Sequence, residues 1–148
     1  MKKIISLALV LVMLAAAMAG CNTTQADYTV GICQLMVHDS LDQATQGFND
    51  ALNEKMAAAG KTVAFDTQVA GEPDLCTTVV NTFTAKNVDL IMANATSALL
   101  AAANATTSIP VLGTSVTDYN DTFAGSIPAN VSGTSDAVPF EEQATGNC

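Results

Sequence analysis

Four apolar runs, each separated from the next by a polar stretch of helical period, organise this chain. The first, YTVGICQ at 28–34, is tight and nearly unbroken, the pattern of a central parallel strand covered on both faces. Gly31 inside it marks a close backbone approach. A helix is predicted from Ser40, with Ser40 and Gln43 in the form of a capping box and Asp39 and Asp42 at its dipole-favoured start. Leu41, Ala44, Phe48, Ala51, Leu52 and Met56 recur at helical spacing, and Gly60 ends the helix. A second strand is predicted over 62–69. Pro73 then suits a first helical position, Leu75, Val79, Val80 and Phe83 form a buried stripe, and Asn87 is a left-handed stop.

The stretch from 88 to 118 carries most of the argument. It reads as a buried strand (88–93), a polar turn (94–97), an alanine-rich helix to about Thr106, and a buried strand (109–112). Thr96 or Ser97 would cap that helix, and Pro110 is tolerable at a strand's start. A second polar turn spans 113–118. Strand, helix and strand with short links predict a parallel pair joined by a right-handed crossover. Both turns then lie at the carboxyl end of the sheet, where open α/β sheets bind small ligands. Residues 123–127 could add a short strand, 128–136 is a turn-rich connector, and 138–143 resembles the first turn of a further helix. The expected fold class is α/β, a doubly wound parallel sheet in a Rossmann-like domain.

The amino terminus has another character. Lys2 and Lys3 precede an unbroken apolar run from Ile4 to Ala19, and Ala19-Gly20-Cys21 closes it. That order is a secretory signal. The cysteine after Ala-Gly resembles the bacterial lipobox, in which it is lipidated and becomes the new amino terminus; Met18 stands where leucine is usual. The alternative is a transmembrane anchor, but the run is at the short limit for spanning and polar residues follow at once. Residues 1–20 are thus expected to be the signal and 21–27 a polar tether. The expected location is extracytoplasmic, lipid-anchored to the bacterial cell membrane. Stable anchoring takes more than one acyl chain.

Charge narrows the partners. The chain carries 5 lysines, no arginine and 14 acids; without Lys2 and Lys3 the balance is −11. So acidic a surface excludes nucleic acid and an anionic membrane face as partners. Cys33, Cys76 and Cys148 show no C-x-x-C spacing and accompany a single histidine, so no zinc site, and no other metal or cofactor, is expected. Cys33 and Cys76 read as small buried apolar residues, with a disulfide between them the alternative. The Asn-x-Ser/Thr triplets at Asn94, Asn104, Asn120 and Asn130 reflect an Asn- and Thr-rich composition. His38 has no evident nucleophile or metal partner, so catalysis is not expected of it.

Taken in order behind the lipobox, five motifs point to a family. They are VGICQLMVHDSLD (30–42), GEPDLCTTVV (71–80), VDLIMANATSALLAAANAT (88–106), IPVLGTSVTDY (109–119) and NVSGTSDAVPFEEQ (130–143). Together they resemble the substrate-binding lipoproteins of ABC transporters, in the group of tryptophan/tyrosine-type permease binding components. Two prolines usual in that group are Asp39 and Tyr119 here. The resemblance implies the first lobe (28–130) of a type I periplasmic binding protein, two Rossmann-like lobes that close on a ligand. It implies that 131–148 is the crossing and the start of a second lobe whose remainder the sequence does not include. It further implies an amino-acid ligand and, as partners, a permease and an ATPase.

Such a ligand offers a carboxylate and an ammonium. Ala95, Thr96 and Ser97, with Asn94 before them, suit the carboxylate, since a helix amino terminus with hydroxyls binds anions; Thr96 or Ser97 as a simple cap is the bland reading. Ser115 and Thr117, with Thr114, follow the same logic. Asp118 and Asp136 are acceptors for the ammonium, or solvated turn aspartates. Thr134 lies in the crossing beside Asp136. Gln34 could hydrogen-bond the ligand or only finish its strand. Two other classes stay open: a flavodoxin-like enzyme or regulator, for which no phosphate loop, nucleophile or metal cluster is visible, and a surface lipoprotein that only contacts a partner.

Overall fold

The computed structural model describes residues 25–137. The expected signal and lipidated Cys21, and the helix start at 138–143, lie outside the described residues. Among the described residues no helix is long and apolar enough to cross a membrane.

Five strands alternate with helices: β1 (Tyr28–Gln34), α1 (Asp39–Ala58), β2 (Val63–Val69), a 3-10 turn (Pro73–Leu75) leading into α2 (Cys76–Lys86), β3 (Leu90–Asn94), α3 (Thr96–Ala105), β4 (Val111–Val116), α4 (Tyr119–Thr122) and β5 (Val131–Ser135). All pairings are parallel, in the order β2-β1-β3-β4-β5. This is the doubly wound arrangement expected, with the chain reversing its direction of travel between β1 and β3.

Side-chain parity divides the core. Val30 and Ile32 of β1 and Met92 of β3 face α1, where Phe48 and Leu52 cover them and Phe48 meets Phe65 edge-on at 6.4 Å. Cys33, Ile91, Ala93 and Val111 face α2 and α3, against Val80, Phe83, Leu99 and Ala102. The small residues of α3 let it settle close to the sheet. One face thus carries two helices and the other one. The half of the α1 face over β4 and β5 is an open groove of about 450 Å³, floored by Met92, Leu112 and Thr114.

Gly31 does mark a close approach, but of a side chain. A Cβ there would lie 2.5 Å from Cγ of Phe83, whose ring occupies that space. Asn87 is left-handed at φ 52° and ends α2 as expected, and Pro73 opens the 3-10 turn.

Four local expectations are corrected. The capping box at Ser40 is not formed: α1 starts one residue earlier, and Nδ1 of His38 accepts the Ser40 N–H at 3.2 Å. Neither Thr96 nor Ser97 caps α3; the cap position is Ala95, which has no capping side chain. The fourth strand is not 109–112 but runs on to Val116, through hydroxyl residues that read as a turn. Its backbone is held by β3 as far as Thr114 and by β5 beyond, so side-chain polarity does not end it. Finally, 123–127 is not a strand. The fifth strand is Val131–Ser135, inside the stretch taken for a connector and crossing. Only Val131 is buried, and the strand forms because its main chain completes the ladder with β4. The sheet therefore includes residues beyond 130.

Candidate functional site

The carboxyl ends of the strands form one rim. Gln34 pairs with Asn94, and Asn94 with Thr114, so β1 and β3 finish level and β4 runs two residues further, to Val116. The chain reversal between β1 and β3 opens a crevice there, between the loop at 35–38 and the start of α3. The Leu35 N–H donates to the Asn94 carbonyl at 3.2 Å, joining the two strand ends below it.

Gln34 and Asn94 are turned inward. Both face α1 by parity and are 3% and 0% exposed. Between them stands Thr45, the one buried residue of α1. Its hydroxyl donates to Oε1 of Gln34 at 2.7 Å and accepts from Nδ2 of Asn94 at 2.9 Å. Nδ2 of Asn94 also donates to the Leu41 carbonyl at 2.8 Å. Nε2 of Gln34 donates to the Met36 carbonyl and to Oδ1 of Asp42, at 2.8 and 2.6 Å. These two amides bolt the ends of β1 and β3 to α1, whereas the sequence suggested a ligand contact for both, with a plain strand end as the alternative for Gln34. Thr45 was missed altogether, since a threonine on a helix stripe gives no local sign of a long-range bridge.

Ala95 follows, at φ 99° and ψ 157°. This combination is close to glycine-only and stores strain of about 1–3 kcal/mol. Its backbone is pinned on both sides: the N–H donates to the Thr114 carbonyl at 3.0 Å, and the carbonyl accepts the Leu99 N–H at 3.0 Å. The consequence lies at the start of α3. The first-turn N–H groups of Thr96, Ser97 and Ala98 have no intrahelical acceptor and no side-chain cap. The hydroxyls of Thr96 and Ser97 stand half-buried beside them. That is a ready anion cradle at the positive end of a helix dipole.

The second corner is built from β4, β5 and α4. A bulge between Gly113 and Val116 puts Ser115 at φ 56°. Thr114 and Thr134 stand side by side with their hydroxyls 3.4 Å apart. The Thr117 carbonyl accepts the Ser135 hydroxyl at 2.6 Å, tying this corner to β5. Asp118 is committed locally, since its Oδ1 accepts the Asn120 and Asp121 N–H groups at 2.7 and 3.0 Å as the cap of α4. Asp136 is exposed at the end of β5, its N–H donating to the Val116 carbonyl at 3.1 Å.

Tyr119 packs its ring against Gly113 and Gly133, where any Cβ would collide with its hydroxyl. Burial raises its phenol above the usual range. The sequence held a signal here, a tyrosine in place of a proline. The structure shows Asp39 and Tyr119, the two departures, as the first residues of α1 and α4. A first helical residue needs no N–H partner, so proline is optional there. His38 serves as a helix cap. Among the described residues no group of three His, Cys, Asp or Glu side chains could hold a metal.

A doubly wound sheet with a polar rim and one uncapped helix start on it has the arrangement in which open α/β domains bind small ligands. The chain belongs to the ABC transporter substrate binding protein family, whose profile matches residues 29–145. It is 34% identical to the tyrosine-binding protein of Clostridioides difficile, over 95% of this chain and 46% of that protein. The fold superposes with a TM-score of 0.68 on the ligand-free, open form of a substrate binding protein with adhesive properties from Clostridium difficile. That match has 34% identity and covers 78% of this chain and 41% of the other. A Streptococcus pneumonia ABC domain in complex with L-Trp gives 0.67 at 28% identity, covering 76% and 39%. The chain therefore spans less than half the length of these relatives.

Proposed function

We propose that this lobe is one wall of the amino-acid site of an extracytoplasmic receptor serving an ABC importer. The observation that carries this reading is the bare amino terminus of α3 behind a strained, uncapped Ala95, at the reversal point of the sheet. A ligand carboxylate would accept the N–H groups of Thr96, Ser97 and Ala98 and the hydroxyls of Thr96 and Ser97. Asp136, free of a capping duty, is the better acceptor for the ammonium than Asp118. Thr114, Ser115, Thr117 and Thr134 line the second corner. The relatives bind tyrosine and L-Trp, which favours an aromatic amino acid here. Residues 1–20 would be the signal, Cys21 the lipid anchor, and 21–27 the tether. The lobe would run from 28 to 135, with the crossing starting at Asp136. The receptor would work without chemistry, by lobes closing around the ligand and shifting a population toward the closed state.

One wall supplies part of the contacts, so this chain alone is expected to bind with a Kd of about 1 mM or weaker. The test is an amide NMR titration with L-tyrosine and with tyramine, which lacks the carboxylate. L-Tyrosine should shift the Thr96, Ser97 and Ala98 amides and tyramine should not. Equal shifts from both ligands, or shifts confined to the other end of the sheet, would refute the reading.

A further inference from the structure

We propose that Cys33 and Cys76 form an intramolecular redox pair, oxidised to a disulfide that pins α2 to β1 or left as a dithiol according to the conditions in which the chain folds, and then locked in that state by burial. The position of the two residues carries this. Along β1, Gly31 and Cys33 point to the α2 face, and Gly31 lies beneath the Phe83 ring. Cys76, Val79, Val80 and Phe83 form the face of α2 that lies on β1. Cys76, the first residue of that helix, reaches the sheet near the carboxyl end of β1, where Cys33 sits. Both residues are free cysteines with 0% exposure, within one apolar cluster. The Cys76 thiol meets the Glu72 carbonyl at 3.8 Å, and Cys76 is among the groups that raise the Cys33 thiol, after burial itself. Nothing in the proposed amino-acid site uses either sulfur.

The locking follows from the same surroundings. Only a thiolate attacks a disulfide, and burial pushes the Cys33 thiol up to about 12. The reactive form is then scarce near neutral pH, and neither side chain has exposed surface for a soluble oxidant to reach. Exchange must therefore precede the docking of α2. With oxidised glutathione as oxidant, one cysteine thiolate attacks it, forming a mixed disulfide and releasing one glutathione thiolate. The second cysteine thiolate then attacks the protein sulfur of that mixed disulfide and releases the second glutathione. Two protons pass from the protein thiols to the two leaving thiolates, two electrons pass to the oxidant, and one S–S bond is exchanged for another.

The test uses the chain with Cys21→Ser and Cys148→Ser, so that only this pair can react. It is unfolded in guanidinium and refolded either in a reductant or in a mixture of reduced and oxidised glutathione, then alkylated and analysed by peptide mass spectrometry. Oxidative refolding should give the Cys33–Cys76 cross-linked peptide as the main product, with a Tm about 10 °C above the dithiol form. Protein already folded as the dithiol should acquire the cross-link at least ~100-fold more slowly in the same mixture. Cys76→Ala should give no cross-link. Mixed disulfides with glutathione and no internal cross-link would overturn the pairing. Equal oxidation rates for folded and unfolded chain would overturn the locking. Should refolding fail, synthesis in an oxidising cell-free mixture gives the same peptide readout.

Discussion

Replacing Thr45 with valine isolates the bridge beneath the rim. Valine keeps the branched shape of threonine and puts a methyl where the hydroxyl was, so the main change at this 8%-exposed residue is the loss of its hydrogen bonds. Two hydrogen bonds disappear, to Oε1 of Gln34 and from Nδ2 of Asn94. Nδ2 keeps its bond to the Leu41 carbonyl, whereas Oε1 of Gln34 loses its only side-chain donor within a site 3% exposed. Each lost bond is worth about 1 kcal/mol net, and an orphaned buried acceptor costs about 1–3 kcal/mol. The expected loss is roughly 2–4 kcal/mol, a drop in Tm on the order of 10 °C for a domain of this size. Thr45→Ser keeps the hydroxyl and forfeits one methyl, so it should lose about 1 kcal/mol. Urea unfolding followed by circular dichroism measures both. Amide spectra of the valine variant should also shift at Asn94 and Ala95, because the bridge sets where β3 ends. A valine variant within ~0.5 kcal/mol of the parent would refute the account. So would a serine variant as unstable as the valine one, since the loss would then come from packing.

Three further outcomes follow from other positions. Ala95→Gly removes the strain of φ 99° at the cost of a freer unfolded chain, so a net gain of about 1 kcal/mol is expected; a thermal melt showing destabilisation would mean that the conformation carries no strain. Gly133→Ala at φ 153° would drive a methyl into the Gly113 carbonyl and the Tyr119 hydroxyl, so amide exchange across Val131–Ser135 should rise more than about 10-fold as β5 detaches; unchanged protection would contradict the packing. The Lys86 ammonium at 2.6 Å holds the Asp66 carboxyl below its usual range, as the Thr62 N–H does first for Asp27. A carboxyl depressed in the folded state contributes stability above its unfolded value near 4, and that contribution is lost as pH falls through the folded value. Urea midpoints should therefore fall below about pH 4, and Asp66→Asn should flatten that fall; an unchanged slope would show the pair to be without effect.

The sheet was legible because its central strands carry their own signal. YTVGICQ and LIMAN are apolar on both faces, and only a doubly covered parallel strand needs that. The carboxyl half of β4 and all of β5 were not legible. GTSV and VSGTS hold few apolar side chains, and their strand character comes from neighbours that no local window contains. At the site, the shared rim followed from the strand–helix–strand crossover alone. The inward turn of Gln34 and Asn94 did not, because their partners lie 11 and 49 residues away in sequence. Nor does any residue type announce that Ala95 adopts a backbone suited to glycine.

The helix starts along the rim differ in a way that bears on ligand binding. At α1 the imidazole of His38 accepts a first-turn N–H, and at α4 the carboxylate of Asp118 accepts two. Before α2, Pro73 removes one donor from the preceding turn outright. Among the described residues only α3 combines a ten-residue helix, a cap position without a side-chain acceptor, and a strained residue holding that position. Unsatisfied first-turn donors raise the cost of leaving the site to water alone, and strain of about 1–3 kcal/mol persists only where the surroundings enforce it. Here the Thr114 carbonyl and the bridge through Thr45 enforce it. An aspartate at position 95 would set a fixed negative charge beside the donors that a ligand carboxylate needs and repel that carboxylate. Ala95→Asp should therefore abolish the amide shifts that L-tyrosine induces at Thr96–Ala98 while leaving the fold intact by circular dichroism. Persistence of those shifts with an aspartate in the cap would place the carboxylate elsewhere on the rim.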